Sequence, residues 1–416
     1  MSDKLVIEEL FKIFGPHPDE ARRLLEQGWG KADIFEQTRT TIGVQNVNLA
    51  IREGETFVVM GLSGSGKSTL VRMLNRLIEP TSGHIYIGGH DITAMRRKEL
   101  IDLRRRDMTM VFQSFALMPH RTVLENACFG LEVAGIPREE RHERALRALE
   151  QVGLKANAHS LPSELSGGMQ QRVGLARALA TEPTVLLMDE AFSALDPLIR
   201  TEMQDELMGL QQDNPRTIVF ISHDLDEAIR IGDRIAIMQE GAVIQVGTPA
   251  EIVANPANEY VRSFFYGVDV SKVFDAGHIA RDEVGLVIEP SQVSVRDALR
   301  HLRERDERTA MVVEHGRFRG LVDRDSLQRE TERSGEDRYE GAFLSEVEPI
   351  EAGLPLSEVI SRLAQSELPV PVVDRHGRYI GAISHTIMLQ ALDRGGEGAA
   401  EMEPEGPAGE NEAGTG

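Results

Sequence analysis

The sequence has little cysteine and no long apolar runs. Cys128 is the single cysteine among 416 residues, which excludes an internal disulfide framework and fits a reducing compartment. No apolar run approaches the roughly 18 residues that a membrane-spanning helix needs, and the first residues lack a signal-peptide pattern. These absences predict a cytoplasmic protein that would reach a membrane only through a partner.

Positive charge is also in short supply. Lysine and arginine number 46 against 67 aspartates and glutamates, which gives a net charge of −21. This balance argues against nucleic acid as the main partner, and we interpret the basic clusters at 96–98 and 104–106 as solvated helix faces. The length and the hydrophobic content of 41% indicate two or three domains with proper cores.

The glycine-rich stretch Gly61–Thr69 carries the strongest motif. It lies between the apolar run 57–60, which predicts a buried strand, and residues 70–74, which predict a helix. Its spacing matches the phosphate-binding pattern G-x-x-x-x-G-K-[ST], in which glycines let backbone N–H groups face an anion. We expect Lys67 to reach the β- and γ-phosphates and Ser68 to ligate Mg²⁺. The candidate nucleotide-binding residues here are Gly61, Ser63, Gly64, Ser65, Gly66, Lys67, Ser68 and Thr69.

Polar side chains follow three other apolar, strand-like runs. Gln113, Asp189 and His223 each come directly after such a run. Strands that alternate with helices predict an α/β fold with mainly parallel pairing, in which ligands bind beyond the carboxyl ends of the strands. We therefore expect these residues to lie with Gly61 at one edge of a sheet.

These positions suggest chemical roles. Asp189 is placed to hold Mg²⁺ directly or through water. Glu190 is placed to orient and deprotonate an attacking water, which is typically worth ~10²–10⁴-fold in rate. His223 is a candidate γ-phosphate contact. The alternatives are a carboxylate pair that only caps a strand and a structural histidine.

The segment 165–171, Leu-Ser-Gly-Gly-Met-Gln-Gln, resembles the signature of ATP-binding-cassette (ABC) ATPases. One chain cannot fold this segment onto its own phosphate loop. The resemblance therefore implies a head-to-tail dimer, in which each ATP lies between Gly61–Thr69 of one subunit and Ser166, Gly167 and Gly168 of the other.

The motifs of that family appear in order over about residues 5–265. The resemblance implies a P-loop NTPase cassette, with a RecA-like core plus a helical subdomain. It also implies that Gln113 is both catalytic and a metal ligand.

Three segments, 112–120, 188–200 and 221–228, resemble the ATP-binding subunit of the glycine betaine/L-proline importer. This resemblance implies an ATPase, peripheral on the cytoplasmic side of the inner membrane, that powers solute import through an integral membrane permease. An extracytoplasmic solute-binding protein would take part indirectly. The family usually stacks adenine on an aromatic residue upstream of the phosphate loop. Phe14 is our candidate, with about residues 16–41 inserted after it.

Beyond residue 267 the pattern changes. The segments 311–322 and 370–383 are two copies of a strand, a His-Gly-Arg turn and a strand, each followed by a helix ending near Leu327 or Leu392. The repeat resembles tandem cystathionine-β-synthase (CBS) domains, an α+β module, at about 275–332 and 343–394. We therefore divide the chain into an ATPase domain 1–267, a CBS pair 268–394 and an acidic tail 395–416.

The CBS copies depart from the pattern of those that bind adenosine ligands. That pattern has Thr or Ser after the second strand and Asp three residues later. These positions read Asp323 and Ser326 in the first copy and Ser384 and Ile387 in the second. The departure predicts weak or no adenosine-nucleotide binding in the standard pocket. Packing or dimerisation on one side, and ligand sensing on the other, stay equally open as roles of the pair.

The tail 395–416 contains six glutamates and no lysine or arginine, a composition that predicts disorder. Three wider alternatives also remain. The chain could serve another ABC importer of a small polar solute, be a soluble ABC ATPase without transport, or be a CBS sensor with the ATPase as its output.

Overall fold

The computed structural model describes residues 2–113, 116–193, 195–333, 338–345 and 347–393. They fall into two compact units, one up to Phe264 and one from Phe265 onward. The acidic tail 395–416 lies outside the described residues.

The first unit contains two sheets. Its strands are β1 (Asp3–Phe14), β2 (Thr41–Arg52), β3 (Thr56–Met60), β4 (Ser82–Ile87), β5 (His90–Asp91), β6 (Met108–Phe112), β7 (Val185–Asp189), β8 (Thr217–Ser222), β9 (Arg234–Gln239) and β10 (Ala242–Gly247). One sheet has the order β10-β9-β3-β8-β7-β6 and is parallel except between β9 and β10. The other has the antiparallel order β2-β1-β4-β5. The predicted α/β class with mainly parallel pairing is confirmed.

The first unit also contains helices. They are α1 (Pro18–Glu26), α2 (Lys31–Thr38), α3 (Lys67–Leu74), α4 (Arg97–Arg106), α5 (Val123–Val133), α6 (Arg138–Gln151), α7 (Gly167–Leu179), α8 (Pro197–Asp213), α9 (Leu225–Ile231), α10 (Pro249–Ala254) and α11 (Glu259–Phe264). Every residue of β3, β7 and β8 is buried, as expected for parallel strands with both faces covered. The core runs from Phe57 and Val219 in these strands to Leu70 in α3.

The segment between β1 and β2 forms its own small core. Helices α1 and α2 pack Ala21 and Ile34 against Ile13 and Ile42, at the ends of the two strands. This satellite core fixes both helices on the smaller sheet, beside Phe14.

The second unit contains the repeat. Its strands are β11 (Leu286–Ile288), β12 (Thr309–Glu314), β13 (Arg317–Asp323), β14 (Ile350–Glu351), β15 (Val370–Val373) and β16 (Tyr379–Ile383). Its helices are α12 (Ala276–Ile279), α13 (Val295–Glu304), α14 (Arg324–Arg333), α15 (Leu356–Leu363) and α16 (His385–Asp393). Each copy has a parallel strand pair and then an antiparallel one, in the orders β11-β12-β13 and β14-β15-β16.

The predicted end of the helix in the first copy of the repeat was wrong. Helix α14 does not end near Leu327 but runs on to Arg333. Leu327 is its buried anchor, fully covered by the core of that copy, and the polar turn after it continues the helix.

Cys128 lies in α5 at 3% exposure, and burial raises the pKa of its thiol to about 11, so it is an inert packing residue. In the part of the chain that the structure describes, no helix has both the length and the apolar character needed to cross a membrane.

Candidate nucleotide site

Four adjacent parallel strands deliver the polar residues to one edge of the larger sheet. Gly61 follows β3, His223 follows β8, Asp189 ends β7 and Gln113 follows β6. The strands lie in the order β3-β8-β7-β6. Their carboxyl ends therefore meet at the edge where ligands of such sheets bind.

The phosphate loop joins β3 to the N-terminus of α3. Gly66 caps the helix with a φ of 101°, a left-handed conformation that favours glycine. Lys67 is buried, and its Nζ donates to the carbonyls of Gly61 at 2.8 Å and Leu62 at 3.0 Å. Burial lowers the pKa of Lys67, while the neighbouring carboxylates of the site oppose that shift.

The loop leaves one buried hydroxyl without a partner. Ser65 is 6% exposed, and its Oγ has no hydrogen-bond partner among the described residues. A buried hydroxyl in this condition costs free energy. A phosphate oxygen in the cradle would accept its hydrogen bond, so the loop fits a nucleotide.

Oxygen ligands for a cation meet beside the loop. Ser68 Oγ donates to Asp189 Oδ1 at 2.8 Å. Arg72 donates to Asp189 Oδ2 from Nε at 3.2 Å and from Nη2 at 3.1 Å. A hydroxyl and a carboxylate are the oxygen donors that Mg²⁺ prefers, so these residues fit the predicted metal.

Glu190 lies between two of the predicted site residues. Gln113 Nε2 donates to Glu190 Oε2 at 3.2 Å and to Ser193 Oγ at 3.2 Å. His223 Nδ1 lies 3.7 Å from Glu190 Oε2, too far for a hydrogen bond. Glu190 itself has a φ of 49°, a rare conformation that often marks functional sites.

Arg200 ties the His223 loop to the segment after Glu190. Its Nη1 donates to Asp224 Oδ2 at 3.0 Å, and its Nη2 donates to the carbonyl oxygen of Leu195 at 3.2 Å. Arg200 therefore links the two loops by hydrogen bonds.

The signature segment forms a separate, outward-facing helix end. Ser166 caps α7, and its Oγ accepts from the N–H of Met169 at 3.3 Å. Ser166 and Gly167 are exposed, whereas a Cβ on Gly168 would lie 2.5 Å from Ile199 Cγ2. Among the described residues, no hydrogen bond or ion pair joins this segment to the phosphate loop of the same chain.

Phe14 packs beside Gly43, a residue of β2 that lies next to the phosphate loop. Its side chain is exposed at 40%. A Cβ on Gly43 would lie 2.8 Å from Phe14 Cε2, and the carbonyl of Gly43 in turn contacts the position of a Cβ on Gly66. Lys12 Nζ lies 4.9 Å from the ring centroid.

Sequence reasoning missed several of these contacts. Arg72 gave a usable signal, because it lies four residues after Ser68 and so on the same face of a helix. Arg200 and Ser193 were missed, since the contacts of Arg200 with Asp224 and of Ser193 with Gln113 join residues that are distant in the sequence.

The profile of the ABC transporter family matches residues 44–193, and that of the CBS domain matches 344–394. The chain is 57% identical to the glycine betaine/proline betaine transport system ATP-binding protein ProV of Escherichia coli (strain K12), over 95% of this chain and 99% of that protein. It is 45% identical to the glycine betaine transport ATP-binding protein OpuAA of Bacillus subtilis (strain 168), over 94% and 92%.

Solved structures resemble the chain as well. The ATP-binding cassette MJ0796, a dimer bound to ADP and Pi, is 33% identical with a TM-score of 0.50, over 59% of this chain and 98% of that one. The transporter component cbiO1 of Clostridium perfringens is 28% identical with a TM-score of 0.51, over 62% and 93%. The chain therefore belongs to the ABC transporter family of ATP-binding proteins, in the branch of the glycine betaine transport ATP-binding proteins, with a CBS domain after its ATPase.

Proposed function

We propose that this chain is the ATP-hydrolysing subunit of an importer for glycine betaine and related solutes. The main support is that the phosphate loop and four polar side chains meet at one edge of the larger sheet. These side chains are Asp189, Glu190, Gln113 and His223. The solute class is supported by the relatives, whose names give betaine as their cargo. The protein would act on the cytoplasmic face of the membrane, together with an extracytoplasmic solute-binding protein.

Each group of the site has a distinct part in hydrolysis. The N–H groups of the loop and Lys67 bind the phosphates of ATP. Ser68, Asp189 and Gln113 would hold Mg²⁺, which neutralises the charge that develops on the transferred phosphoryl group. Glu190 accepts the proton of the attacking water, and His223 donates to the γ-phosphate.

The active form would be a head-to-tail dimer. The helix end of Ser166 and Gly167 is exposed, and within the described part of the chain no hydrogen bond joins it to the phosphate loop. Backbone N–H groups at such an end favour an anion, which a second copy would supply as its bound ATP. The dimeric cassette bound to ADP and Pi supports this arrangement.

A groove beside Gln113 fits a helix of the permease. A cavity of about 480 Å³ is lined mainly by apolar side chains, with Leu77, Phe129 and Val133 exposed at 52, 38 and 46%. Arg104, Arg105 and Arg177 also line it, so a short apolar helix flanked by acidic residues is the expected occupant. Phe112 lines the groove and precedes Gln113, so a docked helix would act directly on the site.

The test is uptake of glycine betaine and proline into vesicles that hold the chain co-purified with its permease. Glu190→Gln should lower hydrolysis and uptake by at least about 10²-fold while ATP binding persists. Glu143→Gln, on the exposed face of α6, should leave both unchanged. A Glu190→Gln protein that stays monomeric at saturating ATP and Mg²⁺, with the permease present, would refute the proposal.

A further inference from the structure

The inserted helices bring a lysine to the edge of the nucleotide site. Lys31 is the first residue of α2, and its Nζ donates to the carbonyl of Ile42 at 2.7 Å. A Cβ built on Gly241 would lie 2.8 Å from the same Nζ. Ile34, one turn further along α2, is fully buried and holds the helix in place.

The backbone beneath Lys31 supports the phosphate loop. The N–H of Gly241 donates to the carbonyl of Ser65 at 2.9 Å. Gly43, next to the carbonyl that Lys31 binds, contacts the loop at Gly66 and the ring of Phe14. Lys31 and Phe14 therefore flank the same short stretch of backbone.

The ammonium group of Lys31 has donors to spare. It carries three N–H groups, and the carbonyl of Ile42 is its one hydrogen-bond acceptor among the described residues. Burial lowers the pKa of Lys31, against an opposing attraction from Glu240. The other N–H groups of this half-buried ammonium are therefore available to a ligand, and a hydrogen bond from a charged donor is stronger than one between neutral groups.

We propose that Lys31 binds the adenosine end of the nucleotide, its ammonium donating to acceptor atoms of the ribose or the adenine ring. Lys67 serves the phosphates inside the loop, whereas Lys31 lies outside it, on the side of Phe14. The inserted segment would thus complete the nucleotide site. This inference rests on the proposed function, because it assumes that the loop binds ATP.

The experiment is calorimetry on the full chain with two ligands, MgADP and inorganic tripolyphosphate. Tripolyphosphate fills the phosphate cradle but has no adenosine. Lys31→Met should raise the dissociation constant of MgADP about tenfold, the loss of one charge-assisted hydrogen bond, and leave that of tripolyphosphate unchanged. Lys31→Arg should restore most of the affinity for MgADP. Lys98→Met, on the exposed side of α4, is the matched control.

Two other outcomes would contradict the proposed role of Lys31. Equal losses for both ligands would mean that Lys31 only supports the loop, and an unchanged affinity for MgADP would remove it from the site. Thermal unfolding checks each variant, and Lys31→Gln replaces Lys31→Met if the latter is unfolded. A wild-type chain that binds neither ligand would refute the proposed function itself, and this inference with it.

Discussion

Residue by residue, the polar side chains of the site are held by one another. Asp189 accepts hydrogen bonds from Ser68 and Arg72, and Glu190 accepts one from Gln113. Such pairing orients a carboxylate before its ligand arrives, which is what catalysis by positioned charges requires. It also means that binding of nucleotide and metal must exchange these contacts, so Arg72 is expected to turn away from Asp189 when the cation binds.

Phe14 offers a test of where the adenine lies. Phe14→Ala should raise the KM for ATP on the order of tenfold, because stacking of a base on an aromatic ring contributes about 1–3 kcal/mol. The kcat should not change, since Phe14 lies outside the phosphate loop. Steady-state ATPase kinetics measure both quantities.

The control for Phe14 is Phe35→Ala. Phe35 lies on α2 in the inserted segment and is 46% exposed, so its loss tests the general effect of removing an exposed ring there. An unchanged KM in Phe14→Ala would remove Phe14 from the site.

The sequence predicts residues of this site only when they follow a recognisable pattern. Asp189 and His223 could be found because each follows an apolar run, and runs can be read without knowing the fold. Lys31 and Arg200 could not, because their contacts depend on how distant elements pack. The same holds for Gly43. A Cβ at this position would lie too close to the ring of Phe14, and that proximity arises only in the folded chain.

Among the helices and strands, α11 makes the least expected connection. Tyr260 lies in this helix, and its hydroxyl donates to the carbonyl of Met238 at 3.1 Å and lies 3.5 Å from the N–H of Leu62. Helix α11 thus braces the start of the phosphate loop. It is also the last helix of the first unit.

Tyr260→Phe should loosen this brace. Loss of one such hydrogen bond costs about 1 kcal/mol, so the KM for ATP should rise about fivefold. Hydrolysis at saturating ATP should change little, because no catalytic group is touched. Tyr266→Phe, at a side chain 47% exposed, is the matched control, and equal KM values in the two variants would contradict the bracing role.

In both copies of the repeat, a residue at the end of the second strand or directly after it caps the helix that follows. Asp323 Oδ1 accepts from the N–H of Ser326, and Ser384 Oγ accepts from the N–H of Ile387 at 3.3 Å. Each side chain satisfies the N-terminus of the helix that follows. The carboxylate of Asp323 therefore occupies the end where a phosphate would otherwise be favoured.

AMP and cyclic dinucleotides should accordingly fail to bind this unit. The measurement is calorimetry on the full-length Glu190→Gln chain, with the ATPase site first saturated with MgATP. Submillimolar binding of any of these ligands would contradict the prediction. Asp323→Ala serves as a comparison, because it removes the repelling charge.

Short elements limited what the sequence could predict about this unit. Strands β12 and β13 were recognisable from their apolar runs, but β11 and β14 have three and two residues. Runs so short cannot show the alternation of apolar and polar residues that identifies a strand in a sequence. The end of α14 was misjudged because all of its residues after Leu327 are polar, although Glu330 among them is buried.

On the scale of the whole molecule, acidic charge is the dominant property. The net charge is −21, and the tail 395–416 contributes six glutamates without a compensating lysine or arginine. Charges interact over roughly 10 Å at 0.1 M salt and about 3 Å at 1 M. The reach of the tail's charge therefore falls as the ionic strength rises, and it changes within the range that a cell experiences.

Removal of residues 395–416 should shift the salt dependence of transport, because the screened term disappears with the charges. The measurement is uptake by the chain and its permease in vesicles of fixed anionic-lipid content, across a series of salt concentrations. A chain with all six glutamates changed to glutamine keeps the length of the tail and should behave as the deletion does. If the glutamine chain instead follows the wild type, the charge has no part, and an unchanged curve for both variants would mean that ionic strength is sensed elsewhere.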